Sequence, residues 1–329
     1  VSDHSPAADR HALATDDDPI DGSDIGRALV TGGAGFVGHH LVDALDAVTD
    51  VCVLDDLSTG SLARVPDGVE THVGDVRDPD TLGAATADVD VIFHQAARIS
   101  VERSIEEPID TESVNVEGTL AVLDAARRAD ARVVFASSAA IYGDPETVPV
   151  PESAPQRPAS PYGVSKSAAD RYVRLYEELY GLPTVSLRYF NAYGPGASAG
   201  VVRAFQERVR RGEPLIVEGD GGQTRDFVHV RDVVRANLQA ATTDAVGAAF
   251  NVGTGERVTI EALAERVQAA NGVDRPVEFV EARDGDVRHS CADVSAAREA
   301  LGFEAQIELD EGLRRLAGAE RPAAESRQD

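Results

Sequence analysis

A doubly wound α/β fold built on a parallel sheet is predicted by three features of the sequence. Short apolar runs alternate with helical periodicity from residue 25 to about residue 193, a glycine-rich turn joins the first run to the first helix, and an acidic pair closes the second run. Ala28-Leu29-Val30 is the first strand, and Phe36-Val37, Leu41-Val42 and Ala44-Leu45 recur at helical spacing after it. Val51–Leu54 is the second strand and ends at Asp55-Asp56. His72-Val73, Val89–Phe93, Val133–Phe135 and Thr184–Leu187 follow as strands, with helices expected over 107–129 and 161–180. Apolar strands without polar alternation are covered on both faces, and right-handed crossovers then generate the doubly wound arrangement.

The rhythm changes after about Gly194. Helices over 201–211, 231–242 and 259–270 mix with short strands at Leu215–Val217, Phe227–Val230, Ala249–Asn251 and Val277–Val280. The expected organisation is a nucleotide-binding Rossmann domain at 25–193 and a smaller mixed α/β substrate subdomain at 194–316, some later segments returning to the first domain. Residues 1–24 hold seven aspartates, one arginine and no apolar period, which predicts a disordered acidic arm. Residues 317–329 read as a loose tail.

Composition narrows the partners. Lysine plus arginine total 31 against 57 acids in 329 residues, a net charge of −26. Phosphate backbones would be repelled, so no nucleic-acid partner is expected. No apolar run reaches the about 18 residues of a membrane span, and no basic segment leads an apolar run near the start, so neither a membrane nor a secretory role is expected. Cys52 and Cys291 form no metal or disulfide pattern, which fits a reducing cytoplasm. The single lysine, Lys166, stands against thirty arginines. A dense carboxylate surface with lysine nearly eliminated predicts a protein adapted to high salt, where counter-ions screen the repulsion.

Gly32, Gly35 and Gly38 fit Gly-x-x-Gly-x-x-Gly between strand and helix, and Gly33, Gly35 and Gly38 fit Gly-x-Gly-x-x-Gly. Without Cβ atoms this backbone can turn tightly and approach a pyrophosphate at the helix N-terminus. Asp55, seventeen residues after Gly38, stands where a carboxylate meets the adenosine ribose hydroxyls. It would repel a 2′-phosphate, so the expected cofactor is NAD. Asp75-Val76, after the third strand, are placed to contact adenine.

Tyr162 and Lys166 share one face of the 161–180 helix at i, i+4. A phenol near pKa ~10 is too weak an acid to serve as a base at neutral pH unless a neighbouring cation favours the phenolate. A chain that avoids lysine everywhere else keeps it here. Ser138 ends the fifth strand, at the carboxyl edge where such sheets bind ligands, and its hydroxyl can relay a proton.

These residues, with the runs TGGAGFVG, DDLSTG, GDVRD, FHQAA, SSAAIYG, YGVSK, RYFNAYGPG, GDGGQTRDFVHV and RDGDVRHSCAD, resemble the extended short-chain dehydrogenase/reductases, in their nucleotide-sugar epimerase branch typified by UDP-glucose 4-epimerase. The resemblance covers about Arg27 to Leu316. It implies that Phe36, Val37, Asp55, Asp56, Leu57, Ser58, Thr59 and Gly60 line the adenosine and pyrophosphate side. Asp75 and Val76 would hold adenine, Gln95, Ala96, Ala97 and Ile99 run along the cofactor, and Asn115 lies beside it. Ser138, Tyr162 and Lys166 would be the catalytic set, with Phe190 near the nicotinamide. Asn191, Arg225 and Arg283 would meet the sugar diphosphate, for which guanidinium forks are suited.

The implied reaction is 4-epimerisation of a UDP-sugar through a transient 4-keto intermediate. Related dehydratases and decarboxylases carry carboxylates close to the catalytic serine or threonine, where this chain has Ala139-Ala140. A noncatalytic NAD-binding sensor on the same scaffold would not need Ser138, Tyr162 and Lys166 together. Ser290 falls where the family's sugar 2-substituent is bordered, and a small residue there implies acceptance of N-acetyl sugars. Gly196–Gly200 is short where the family carries a longer loop. The family pairing surface would fall on the helices at 107–129 and 161–180 and make a homodimer.

Overall fold

The computed structural model describes residues 24–282 and 287–319. Residues 1–23 of the expected acidic arm, Arg283 and residues 320–329 lie outside the described residues.

The chain opens with β1 (Ala28–Thr31), α1 (Phe36–Asp46), β2 (Val51–Asp55), β3 (Glu70–Val73), α2 (Pro79–Ala85) and β4 (Val91–His94). Then come α3 (Val101–Glu106), α4 (Pro108–Glu112), α5 (Gly118–Ala129), β5 (Arg132–Ser138), α6 (Pro161–Tyr180) and β6 (Thr184–Tyr189). Successive strand residues go to opposite sides of the sheet, as the period-2 geometry requires. Val30, Val53, Phe93 and Val134 join the core under α1. Leu29, Cys52, Leu54, Ile92, Val133 and Phe135 join a separate core under α5 and α6. Both faces are dry over β1, β2 and β4, which is why those strands read as unbroken apolar runs, while the edge strand β3 is partly exposed. Each such side chain stabilises the fold by ~1.5–3 kcal/mol.

The expected helix at 107–129 is not one cylinder. α4 and α5 are joined by a π turn at Ser113–Glu117, which turns Val114, Asn115 and Val116 inward. The helix at 161–180 matches α6 at both ends, for local reasons. Ser160 Oγ accepts the Gly163 N–H at 3.1 Å, Pro161 sits in the first turn, and Gly181 takes the left-handed conformation that ends the helix.

The second half comprises β7 (Asn191–Tyr193), α7 (Val201–Arg211), β8 (Leu215–Glu218), β9 (Thr224–Arg225), β10 (Phe227–His229) and α8 (Val230–Thr242). It continues with β11 (Ala248–Val252), β12 (Val258–Thr259), α9 (Ile260–Asn271), β13 (Val277–Val280), α10 (Ser295–Leu301) and α11 (Leu309–Ala319). The strand expected at Ala249–Asn251 in the substrate subdomain is β11 of the main sheet. It pairs parallel with β6 and completes seven strands in the order β11-β6-β5-β4-β1-β2-β3. α8 packs on α1 and on the sheet. The remaining elements close a separate core around Phe205, Leu215, Val217, Leu263, Val267 and Leu313. The last helix runs past the boundary expected at Leu316, and Ala317 is buried against that core.

Candidate active site

A cleft runs along the carboxyl edge of the sheet. It brings together Gly32, Gly35, Phe36, Val37, Gly38, Asp55, Asp56, Ser58, Thr59, Asp75, Val76, Gln95, Ala96, Ala97, Ile99, Tyr162 and Lys166. The glycines are there because nothing larger fits. Gly32 has φ +69°, and a Cβ on it would lie 2.7 Å from the Ala96 nitrogen. One on Gly38 would lie 2.0 Å from the Gly32 carbonyl. α1 therefore starts hard against the turn, with no side-chain cap and no acid in its first turn. Its free N–H groups and positive dipole end suit a diphosphate.

Asp55 closes β2 and is 5% exposed. Its carboxylate accepts the Ala34 N–H at 2.9 Å and the Leu57 N–H at 2.8 Å. Burial pushes its pKa up, and those two N–H groups act against the rise. The carboxylate thus stays aimed at the cleft with lone pairs left for ribose hydroxyls. Leu57 does not line the cleft: it takes φ +58° and packs against the core under α1. Gly60 also stands behind the wall, with its Cβ position 2.9 Å from Ala34. Asp75 is paired with Arg77 at 2.5 Å, and that guanidinium holds its carboxyl below the ordinary range.

At the other end, α6 presents Tyr162 in its first turn and Lys166 one turn on. Lys166 is 3% exposed, and its Nζ donates to the Ala136 carbonyl at 2.8 Å and lies 4.8 Å from the centre of the Phe135 ring. Burial pulls its pKa down to about 7. Burial pushes the Tyr162 phenol up, and a hydrogen bond with Ser138 works in the opposite sense. Ser138 ends β5, opposite Tyr189 in register, and its Oγ accepts the Ala140 N–H at 3.2 Å. Ala139 and Ala140 open a short helical turn, so the two positions that follow Ser138 carry no carboxylate.

Two expected cofactor residues sit in the walls. Asn115 is 1% exposed, and its amide accepts the Arg98 N–H at 2.7 Å and donates to the Arg98 carbonyl and to Ser165 Oγ, each at 2.9 Å. Phe190 is buried beside Ile141, Tyr142 and Val150. On the substrate side, the Asn191 N–H donates to the Asp226 carbonyl at 3.0 Å, and Asn191 opens onto a small pocket shared with Gly200, Val201 and Phe227. Arg225 lies in β9, and the Ser290 N–H reaches the neighbouring Thr224 carbonyl at 3.1 Å, so both belong to one small strand cluster.

Sequence reasoning missed several contributors. Tyr189 lines the cleft, and its hydroxyl is held by Gln95 and Asn237 at 3.2 and 2.8 Å; Arg98, inside the Gln95–Ile99 stretch expected along the cofactor, lines it as well. Asp226 is fully buried and accepts from Thr254, Gly255 and Ala292, tying together the segments that carry Arg225 and Ser290. Asp170, one turn beyond Lys166, forms a buried ion pair with Arg188. The available signal was a charged residue inside an otherwise apolar period: Asp226 before Phe227-Val228, and Arg188 within Thr184–Tyr189.

A glycine turn and a ribose-type carboxylate at the carboxyl ends of a parallel sheet, with a phenol and a lysine at the other end of the same cleft, place the chain among dinucleotide-dependent enzymes. Residues 28–253 match the NAD dependent epimerase/dehydratase family, and the chain belongs to that family. NAD is accordingly its cofactor, and the Gly32–Gly38 cradle and the Asp55 carboxylate fit it. UDP-glucose 4-epimerase of Mycolicibacterium smegmatis is 41% identical over 300 residues, covering 87% of this chain and 96% of that protein. The crystal structure of UDP-glucose 4-epimerase from Thermotoga maritima with UDP-glucose superposes with a TM-score of 0.86 at 36% identity, over 89% of this chain and 98% of that one. UDP-N-acetylglucosamine 4-epimerase from Methanobrevibacter ruminantium, in complex with UDP-N-acetylmuramic acid, gives 0.86 at 33% identity, over 90% and 98%.

Proposed function

We propose that the chain interconverts UDP-sugars by NAD-dependent inversion at C4. The observation that carries this reading is the joint placement of Tyr162, Ser138 and Lys166 at one end of the dinucleotide cleft, with Ala139-Ala140 beside Ser138. Tyr162 takes the proton of the sugar 4-hydroxyl, and Ser138 bonds the same oxygen as its charge changes. Lys166 supplies the positive charge that favours phenolate. NAD, when bound, supplies the reversible hydride acceptor. The 4-keto sugar turns about its diphosphate linkage and regains hydrogen on its other face. Asn191, Arg225 and Arg283 would hold the diphosphate meanwhile, with the sugar itself held loosely. Elimination across C5–C6 needs a further proton carrier, and the alanine pair removes the usual place for one.

The test is a panel of UDP-sugars assayed at molar KCl, with conversion of UDP-galactose to UDP-glucose as the expected activity. Formation of a dehydrated or decarboxylated product in its place would overturn the reading. The same panel tests Ser290. The neighbour named for UDP-N-acetylglucosamine supports a pocket open to an N-acetyl group. Ser290→Tyr is expected to lower kcat/KM for UDP-N-acetylglucosamine by about 10–200-fold and to spare UDP-glucose, the range for steric discrimination in a pocket. Equal effects on both substrates would remove Ser290 from the specificity wall.

We further propose a homodimer in a reducing, salty cytoplasm. Ile105, Ile109, Val164 and Leu179 on α3, α4 and α6 are 64%, 84%, 50% and 62% exposed, which supports pairing through this face. Cys52 and Cys291 are buried free thiols, and no helix among the described residues is long and apolar enough to cross a membrane. Light scattering at molar KCl is expected to give twice the 34.7 kDa chain mass, and dilution into low salt to lower Tm as the carboxylates lose screening. A monomer, or a Tm indifferent to salt, would contradict the proposal.

A further inference from the structure

We propose that Arg98 is the cation that meets the diphosphate of the bound dinucleotide, held ready over the cleft by Asp56, Ser58 and Asp110. The inference rests on the NAD site described above. The dinucleotide brings two negative charges into a cleft already lined by Asp55, Asp56 and Asp75. Among the described residues lining that cleft, the cations are Arg98 and Lys166. Lys166 is committed to the Ala136 carbonyl at the catalytic end. Arg77 is paired with Asp75 through both Nε and Nη2. The charge balance therefore falls on Arg98 and the N-terminus of α1.

The geometry agrees. The Arg98 backbone is clamped on both sides by Asn115, which also bonds Ser165 in α6, so the root of the side chain is fixed. Its Nη1 donates to Ser58 Oγ at 2.5 Å and lies 3.5 Å from Asp56, while Nε donates to Asp110 at 3.3 Å. The loop that carries Ser58 abuts the glycine turn, since the Ser61 N–H reaches the Ala34 carbonyl at 3.1 Å. The guanidinium is thus tied to the loop that packs on the glycine turn, and it lines the same cleft as the start of α1. The long contact with Asp56 is the one a phosphate oxygen can replace, while Asp110 keeps its hold on Nε. A planar fork suits this exchange, because it can bond two acceptors at once.

The experiment follows NADH fluorescence in the purified protein and its displacement by NAD, NADP, ADP-ribose and adenosine, for wild type, Arg98→Gln and Arg98→Lys. Arg98→Gln is expected to weaken NAD and ADP-ribose by about tenfold or more, to leave adenosine unchanged, and to flatten the dependence of NAD affinity on KCl. Arg98→Lys is expected to recover part of the loss. A change confined to NADP would assign the guanidinium to the 2′ position and overturn the proposal. Equal weakening of adenosine would show a collapsed wall and overturn it too. Unchanged affinities for all four would do the same. These binding readouts do not depend on turnover of any UDP-sugar, so they stand apart from the test of the epimerase reading.

Discussion

Tyr162→Phe is expected to lower kcat by about 10²–10⁴-fold, the usual contribution of a general acid–base group, while the protein still retains NAD. In the proposed mechanism this phenol takes the 4-hydroxyl proton, yet burial pushes its pKa upward. What makes it a base is charge. Lys166 lies one turn further along α6, and burial has drawn its own pKa to about 7. In the proposed mechanism a phenolate one turn before it would favour the ammonium, as the ammonium would favour the phenolate. Activity should rise with pH as the phenol ionises and fall as the ammonium is lost, and Tyr162→Phe should remove the rising limb. Lys166→Arg should fail as well, because a planar guanidinium cannot stand in the narrow seat between the Ala136 carbonyl and the Phe135 ring. Single-turnover measurement of the sugar step, with bound NAD assayed spectroscopically, separates chemistry from cofactor loss. Near-normal turnover by Tyr162→Phe would end the assignment.

Asp170→Asn is expected to destabilise the protein by about 3–5 kcal/mol and to lower Tm by ~10 °C or more. Asp170 is fully buried and Arg188 is 2% exposed, and they meet in a forked pair at 3.0 and 3.1 Å. Arg174 adds a third bond to the same carboxylate at 3.2 Å, and Arg188 also donates to the Tyr142 hydroxyl and the Glu152 carbonyl, each at 2.9 Å. Removing the carboxylate leaves a buried guanidinium without its counter-charge. Burial alone would raise the Asp170 pKa, but the two arginines hold it below the ordinary carboxylate value. The sign follows: the native state binds this proton less readily than the unfolded chain, so the stabilisation is present above about pH 4 and is lost as pH falls through the folded pKa. The difference in Tm between wild type and variant should therefore shrink towards low pH. Because Asp170 lies one turn beyond Lys166, loosening α6 should also lower kcat. A urea-unfolding difference below about 1 kcal/mol at neutral pH would show that this pair does not hold the helix.

Much of the site is written in short stretches of chain. The Thr31–Gly38 turn needs only neighbouring glycines, Asp55 needs only to follow an apolar run, and Tyr162 with Lys166 needs only helical spacing. The start and stop of α6 are likewise local, since Ser160, Pro161 and Gly181 cap and end it from within a few residues. Periodicity tells which face of an element is buried and leaves open what lies against it. That is why Ala249–Asn251 was legible as a strand while its place beside β6 was not. The π turn at Ser113–Glu117 carries Asn115 against the Arg98 backbone, a contact no pattern of apolar residues records. The same holds for Asp170 with Arg188, Asp226 with Ala292, and Arg98 with Asp56 and Asp110. A charged side chain enters a protein interior only with partners, and these partners come from 12 to 66 residues away in the chain. The sequence by itself determined the strands, the nucleotide turn and the Tyr162–Lys166 pair because those depend on near neighbours. The tertiary structure decided which charges are buried together and which one faces the cleft, because that depends on desolvation, and only the folded chain excludes the water.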